Sequence, residues 1–205
     1  MSNQDSKMDR RVSRTRRQLR NSLMSLILER GYNAVTIEDI TERADLGRTT
    51  FYLHFRDKED LLMESLEQIA QDLKTQVEQT GHLNIEDGRT WINPVAVVFQ
   101  HVDENRDLYR IILKGEGSSK AASRIRDIIE ESATDYFARH MSGMISKLPE
   151  VPRSLVAGYF ATAMMGFIML WLEKELPYKG DEAADLFMKL FFRGAAKVLN
   201  LTIEV

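Results

Sequence analysis

Apolar residues recur every three or four positions along almost the whole chain of 205 residues, and this spacing constrains the fold most strongly. The first such stripe predicts an amphipathic helix from about Arg14 to Arg30 and consists of Leu19, Leu23, Leu26 and Ile27. Gly31 follows, where glycine commonly ends a helix. No segment of useful length alternates apolar and polar residues as a strand does, so the expected fold class is all-α.

The boundaries of the next helices are marked by capping residues. Thr36 and Asp39 have the spacing of a capping box and predict a short helix to about Ala44. A second short helix is predicted from Arg48 to about His54, and a long helix, capped by Asp57, to about Thr80. After a polar connector, the apolar spacing predicts further helices at about 93–105, 107–114, 119–146, 153–175 and 182–200.

Charge is unevenly divided along the chain. Residues 1–58 hold 12 Lys and Arg against 8 Asp and Glu, a net charge of +4. Because the whole chain carries −3, the remaining residues carry −7. A basic head on an acidic body indicates an end that faces nucleic acid, although a basic tail on an ordinary protein gives the same division.

The two short helices and the turn at Leu46-Gly47 have the layout of a helix-turn-helix within residues 36–56. The major groove of DNA admits one helix, and the preceding helix braces it. Gly47 lies in the turn, where a positive φ or a close backbone approach is often needed. The pattern alone leaves open an ordinary corner between two helices.

The segment TIEDITERADLGRTTFYLHFRDKEDLL, residues 36–62, resembles the DNA-binding signature of the TetR family of regulators, and the resemblance covers about residues 13–65. It implies a three-helix helix-turn-helix domain over residues 1–57, ordered from about residue 13. It also implies a helical regulatory and dimerisation domain over residues 58–205, entered by a connecting helix at 58–80. The expected function is sequence-specific DNA binding, as a repressor released by a small-molecule effector.

The residues expected to contact DNA come from the basic flank and from the matched segment. The resemblance implies phosphate or base contacts for Thr36, Arg48, Thr49, Thr50, Tyr52, His54 and Lys58. The arginine-rich flank before the motif adds Arg14 and Arg17 as expected phosphate contacts. Thr36 offers a hydroxyl group and lies at a helix N-terminus, and both features suit a phosphate. The Arg48 guanidinium can donate two parallel hydrogen bonds to a guanine edge or to a phosphate.

Two positions in the recognition helix carry alternatives. Relatives often have an aromatic or polar residue at position 53, where this chain has Leu53, which either contacts thymine methyl groups or is inert. His54 either contacts phosphate or packs against the first helix and caps a carbonyl, and the two roles are compatible.

The run from Ser154 to Leu172 contains no charged residue and reaches the length of about 20 residues that is needed to span a bilayer. It is interpreted as a helix of the dimer interface, with a buried core helix and a membrane span as the alternatives. Gly158, Thr162 and Gly166 give it one small face for close helix approach. The last helix is expected to complete a homodimeric four-helix bundle through Phe187, Phe191, Gly194 and Val198.

An effector site, if present, is expected among the middle helices and would take a small apolar or amphipathic molecule. Methionine and aromatic side chains make adaptable walls for such a site, but the same residue types also fill ordinary cores. The candidates are Trp91, Phe99, Tyr109, Ile112, Phe137, Met141, Met144, Met164 and Phe167.

An enzyme is the competing class of function, but the sequence contains little that supports it. The four histidines form no metal-binding spacing, and no catalytic motif or nucleotide-binding loop is present, so no catalytic residue, metal or cofactor is expected. The chain lacks cysteine and begins without an apolar leader, which favours the cytoplasm. The expected partners are a palindromic operator in double-stranded DNA and a second copy of the chain. The alternative is a TetR-like coregulator that acts through a protein partner without binding an operator.

Overall fold

The computed structural model describes residues 3–80, 95–114, 118–140 and 152–198, and within them the chain is helical with no strand. The prediction of an all-α fold is therefore confirmed for this part of the chain. Nine helices are present in it: α1 Asn3–Arg30, α2 Ile37–Arg43, α3 Arg48–His54, α4 Lys58–Thr80, α5 Ala96–Glu104, α6 Arg106–Lys114, α7 Ser118–His140, α8 Arg153–Glu173 and α9 Gly180–Val198.

Helix α1 begins eleven residues earlier than predicted, at Asn3 instead of Arg14. The stretch before Arg14 lacks an apolar stripe, but it also lacks glycine and proline and contains Lys, Arg, Gln and Met, which favour helix. The predicted end is confirmed. Gly31 adopts a φ of 79°, and its amide donates to the Ile27 carbonyl at 2.8 Å. The helix therefore ends at a glycine in the left-handed conformation.

The chain divides into two compact units. The first comprises residues 1–68 and 107–122, and the second comprises residues 69–106 and 123–205. The chain therefore passes out of the first unit within α4, between Gln68 and Ile69.

The core of the first unit is built from apolar side chains of the long helices α1 and α4 and of the short helices α2 and α3. Its buried side chains from α1 to α4 are Leu19, Leu23, Leu26, Ile27, Val35, Ile40, Ala44, Phe51, Phe55, Leu61, Leu62 and Leu66. Since a seven-residue helix is unstable alone in water, α2 and α3 depend on burying these side chains to remain helical.

The core of the second unit is an aromatic cluster of Phe99, Phe160, Phe167, Trp171 and Phe187 from α5, α8 and α9. The Phe99 ring lies 5.6–5.7 Å from the rings of Phe167, Trp171 and Phe187. Trp171 is fully buried, and its indole N–H donates to the Tyr178 carbonyl at 3.1 Å. The cluster therefore joins three helices and the loop after α8.

Two residues predicted for the dimer interface instead face their own subunit. Phe187 is 2% exposed and lies inside the aromatic cluster, so its apolar surface is already buried. A Cβ on Gly158 would lie 3.5 Å from the Glu130 carboxylate on α7, so this glycine faces α7. Thr162, Gly166 and Gly194 are exposed, and the side chain of Val198 lies outside the described residues.

Gly180 marks the point where the start of α9 meets α5. A Cβ at this position would lie 2.7 Å from the Gln100 Cα and 2.9 Å from the Phe99 carbonyl oxygen. Both are backbone atoms, which a rotamer change cannot move away. The Gly180 amide also donates to Asp103 at 2.8 Å, so close approach and hydrogen bond hold α9 against α5.

We expect Gly180→Ala to lower the free energy of unfolding by about 1–3 kcal/mol, because the added methyl group forces α5 and α9 apart. Chemical denaturation followed by circular dichroism measures this loss. Gly158→Ala is the matched control, since its methyl would meet only a side chain at an ordinary contact distance. Equal stability of the two variants would contradict the proposed close approach.

Candidate DNA-binding surface

The turn between α2 and α3 is closed by backbone hydrogen bonds at the end of α2. The Leu46 amide donates to the Thr41 carbonyl at 2.9 Å, and the Asp45 amide donates to the Glu42 carbonyl at 3.1 Å. These two bonds form a Schellman motif, which places Asp45 in the left-handed region with a φ of 53°.

The expectation that Gly47 supplies a positive φ or a close backbone approach is therefore wrong. Gly47 has a φ of −79°, and a Cβ there would meet nothing within 4 Å. The sharp reversal falls two residues earlier, because the hydrogen-bonded end of α2 sets its position.

The predicted capping box of α2 is present. The Thr36 hydroxyl accepts from the Asp39 amide at 3.2 Å, and Asp39 accepts from the Thr36 amide at 2.7 Å and its hydroxyl at 2.6 Å. These hydrogen bonds from Thr36, followed by Arg30 at 2.8 Å, lower the pKa of Asp39 to about 2. The carboxylate is thus ionised at neutral pH, and the Thr36 hydroxyl proton is directed to it.

Ion pairs hold α2 against α1. The Arg43 guanidinium donates to both carboxylate oxygens of Glu29, at 2.6 and 2.7 Å, and to the Ser25 hydroxyl at 2.9 Å. The sequence carries no local signal of this pair, because the two residues lie 14 positions apart. The pair positions the helix that braces α3.

Helix α3 is fixed by one inward-facing aromatic residue. Phe51 is fully buried, and its ring lies 5.8 Å from that of Phe55, which begins the connection to α4. The Arg16 guanidinium lies 5.0 Å from the Phe55 ring, on the side of α1. These contacts define which face of α3 points to solvent.

The outward face of α3 consists of Arg48, Thr49, Tyr52 and Leu53, all of which are exposed. Thr50 and His54 are half-buried at its edge. The Tyr52 ring packs edge-on against Phe51 at 5.5 Å while half of the residue stays exposed. No hydrogen bond joins His54 to another described residue, so the structure does not show the predicted carbonyl cap. The outward face thus combines a cation, hydroxyl groups and apolar surface on two helical turns.

Four arginines in the middle of α1 separate into two groups. Arg16 and Arg20 both donate to Glu64 of α4, with Arg20 at 3.1 Å, so their charge serves the packing of α1 on α4. The hydrogen bond with Glu64 raises the pKa of Arg16. Arg14 and Arg17 are exposed and have no partner among the described residues, as is also true of Arg48. These three guanidinium groups remain available for an anionic ligand.

Lys58, predicted to contact DNA, is engaged within the first unit. Its ammonium donates to the Tyr32 and Val35 carbonyls, each at 2.7 Å, and lies 4.2 Å from the centroid of the Tyr32 ring. Burial lowers its pKa. Two of its three donors therefore connect α4 to the loop before α2, so its main contact is structural.

The candidate effector residues are divided between the two units and the residues outside the described ranges. Phe99, Phe137, Met164 and Phe167 belong to the second unit, where the first three are buried. Tyr109 and Ile112 belong to the first unit, and Trp91, Met141 and Met144 lie outside the described residues. Among the described residues, no group of His, Asp and Glu is placed to hold a metal ion.

A short exposed helix is braced by a second helix and accompanied by arginines that have no partner in the part of the chain that the structure describes. This arrangement defines a helix-turn-helix DNA-binding protein. The sequence profile of "Bacterial regulatory proteins, tetR family" matches residues 21–64. A second profile, "Transcriptional regulator C-terminal region", matches residues 89–193. The chain belongs to the TetR family of transcriptional regulators, as the sequence resemblance implied.

Individual relatives agree with this assignment. The chain is 23% identical over 181 residues to the HTH-type transcriptional regulator YvkB of Bacillus subtilis (strain 168), covering 87% of this chain and 79% of YvkB. It is 34% identical over 70 residues to YxbF of the same organism, covering 34% of this chain and only 18% of YxbF. A putative TetR-family regulator from Syntrophomonas wolfei str. Goettingen has the same fold, with a TM-score of 0.67, 21% identity and coverage of 93% and 97% of the two chains.

The division of the arginines predicts different salt dependences of DNA binding. Each phosphate contact contributes about 0.9 to the slope of log affinity against log salt. Arg17→Ala is expected to lower the slope by about 1.8 for a dimer, because one contact is lost in each subunit. Fluorescence anisotropy with labelled duplex over a salt series measures it.

Arg16→Ala is the matched control, since it removes the same charge one position away from an arginine that is bound to Glu64. Its slope should stay near that of the unmodified protein. Lys58→Met should cost about 1 kcal/mol of stability through the lost hydrogen bonds and change the slope less than Arg17→Ala. If all three variants lowered the slope equally, the distinction between cations that pack the helices and cations that contact phosphate would be contradicted.

Proposed function

We propose that the chain is a homodimer that binds a palindromic operator in double-stranded DNA through the outward face of α3 in each subunit. The observation that carries the proposal is the exposed Arg48, which has no partner among the described residues and lies on a helix whose other side is anchored by Phe51. Arg14 and Arg17 supply further cations for phosphate. A two-fold dimer reads two half-sites together, which compensates for the few contacts that one short helix makes.

The second copy is proposed to cover the outer apolar face of α8, which consists of Leu155, Tyr159, Thr162, Gly166, Met169 and Leu170. These residues follow one side of the helix, with Leu155 and Tyr159 each 62% exposed and Leu170 52% exposed. The Tyr159 ring also stacks on Phe191 of α9, 5.5 Å between centroids. An exposed apolar stripe of this length favours a protein partner, and Thr162 and Gly166 allow close approach.

Helix α8 is also the one described helix long and apolar enough to cross a membrane. Core helices of soluble proteins meet the same criterion, and the inner side of α8 carries Phe160, Met164 and Trp171 in the aromatic core. Family membership and this burial favour a soluble dimer in the cytoplasm, without a membrane span. The activity proposed is binding alone, with no catalysis and no cofactor.

The regulatory part of the proposal is repression that is relieved by a small apolar or amphipathic effector bound in the helical region after residue 58. The aromatic and methionine side chains of the second unit, including Phe137 and Met164, support an apolar ligand site. The alternative is a coregulator that acts through a protein partner. Arg14, Arg17 and Arg48 have no partner within the described ranges, and these free cations on α1 and α3 favour DNA over that alternative.

The operator proposal is tested by selecting duplexes from a randomised library and measuring gel shifts with the selected sequence. We expect specific, salt-sensitive binding of the full-length protein and at least tenfold weaker binding by Arg48→Ala with Tyr52→Ala. Arg153→Ala is the control, since this exposed arginine lies on α8, outside the first unit. Absence of a selected sequence, or unchanged binding by the double variant, would contradict the assignment of α3.

The dimer proposal predicts that Thr162→Arg yields a monomer, because it places two charges in an apolar interface. Sedimentation velocity measures the mass of the full-length chain. Ser154→Arg is the control, as it adds the same charge at an exposed position of α8 off the outer apolar face. A Thr162→Arg variant that stays dimeric would place the interface elsewhere.

A further inference from the structure

The outward face of α3 has two edges of different chemistry. Arg48 and Tyr52 lie one helical turn apart and form a polar edge, with a guanidinium and a phenol. Thr49 and Leu53 lie one turn apart on the neighbouring edge. All four are exposed, so a ligand of α3 meets a polar edge and a partly apolar edge side by side.

Leu53 is the most exposed large hydrophobic side chain among the described residues, at 76%. It cannot turn inward, because Phe51 is fully buried on the inner side of the same short helix. Its side chain offers no hydrogen-bonding group, so it gains free energy only by apolar contact.

The C5-methyl group of thymine is the largest apolar group that a base edge presents in the major groove, because cytosine offers only a C5–H at that position. Leucine has no hydrogen-bonding group, so it discriminates bases through apolar contact with this methyl group. Thr49, one turn away, carries a second methyl group on the same edge and is short enough to let the helix approach the bases.

We propose that Leu53, assisted by the Thr49 methyl group, is a specificity-determining residue that selects a thymine in each half-site of the operator. The inference rests on the proposed operator binding and names the base chemistry that α3 reads. Arg48 on the neighbouring edge contacts a guanine or a phosphate beside that thymine, so each half-site pairs an apolar contact with a charged one.

The experiment replaces the thymines of the selected duplex by deoxyuridine, one symmetric pair at a time. Uracil lacks only the methyl group and keeps the hydrogen-bonding edge of thymine. We expect one pair at which affinity falls about 15-fold, which is about 4-fold for each lost methyl contact. Leu53→Ala should bind the thymine duplex more weakly and lose this discrimination at that pair.

Leu28→Ala is the matched control, because Leu28 is an exposed leucine of α1 in the same unit and away from α3. It should keep the full deoxyuridine penalty. Circular dichroism verifies that the variants are folded. The loss of affinity caused by deoxyuridine is also measured with the unmodified protein, so this part of the test does not depend on the folding of a variant.

The outcomes separate the two proposals. If the unmodified protein selects no duplex, the proposed operator binding itself fails. If it binds a selected duplex but no deoxyuridine pair weakens binding, the inference on Leu53 is overturned and operator binding stands. The inference is also overturned if Leu53→Ala keeps the same penalty at the same pair as the unmodified protein.

Discussion

The candidate DNA-binding surface depends on the burial of Phe51. Helix α3 has seven residues, and a helix of this length does not persist alone in water. Its shape and orientation therefore come from the core of the first unit, in which Phe51 is fully buried. Because Phe51 occupies the inner side, Arg48 and Leu53 are left on the outer side at fixed positions. The chemistry offered to DNA is thus a consequence of core packing.

The basic residues of the first unit serve two purposes. Arg16, Arg20 and Arg43 are bound by Glu64 and Glu29, and Lys58 is bound by two carbonyl groups, so these cations hold helices together. Arg14, Arg17 and Arg48 have no such partner among the described residues. The positive charge available for DNA is therefore smaller and more localised than the count of Lys and Arg indicates, and it lies on α1 and α3.

Helix α8 also has two different sides. Its inner side carries the aromatic cluster, and Gly180 lets α9 approach α5 closely enough to complete that cluster. Its outer side exposes leucine, tyrosine and methionine beside Thr162 and Gly166. The lack of charge along the run from Ser154 to Leu172 follows from this arrangement, since one side packs in the subunit and the other is proposed to pack on a second copy.

The features that arise from neighbouring residues could be predicted from the sequence. The helical class, the capping box of Thr36 and Asp39 and the helix end at Gly31 depend on contacts within four residues, so their patterns are visible in the chain. The family signature occupies the contiguous residues 36–62, and from it the sequence predicted that α3 is the recognition helix. Even locally, the left-handed residue of the turn is Asp45 instead of Gly47, because the hydrogen bonds that end α2 decide it.

Tertiary structure alone decided which groups are consumed by packing and which remain for a partner. Arg16 and Arg17 are adjacent, yet only Arg16 meets Glu64, 48 positions away, and no local pattern distinguishes them. Phe187 belongs to the core and not to an interface, because an apolar side chain suits either place until its neighbours are known. Contacts between distant residues are made by the fold, and these contacts determine which surface is left for DNA.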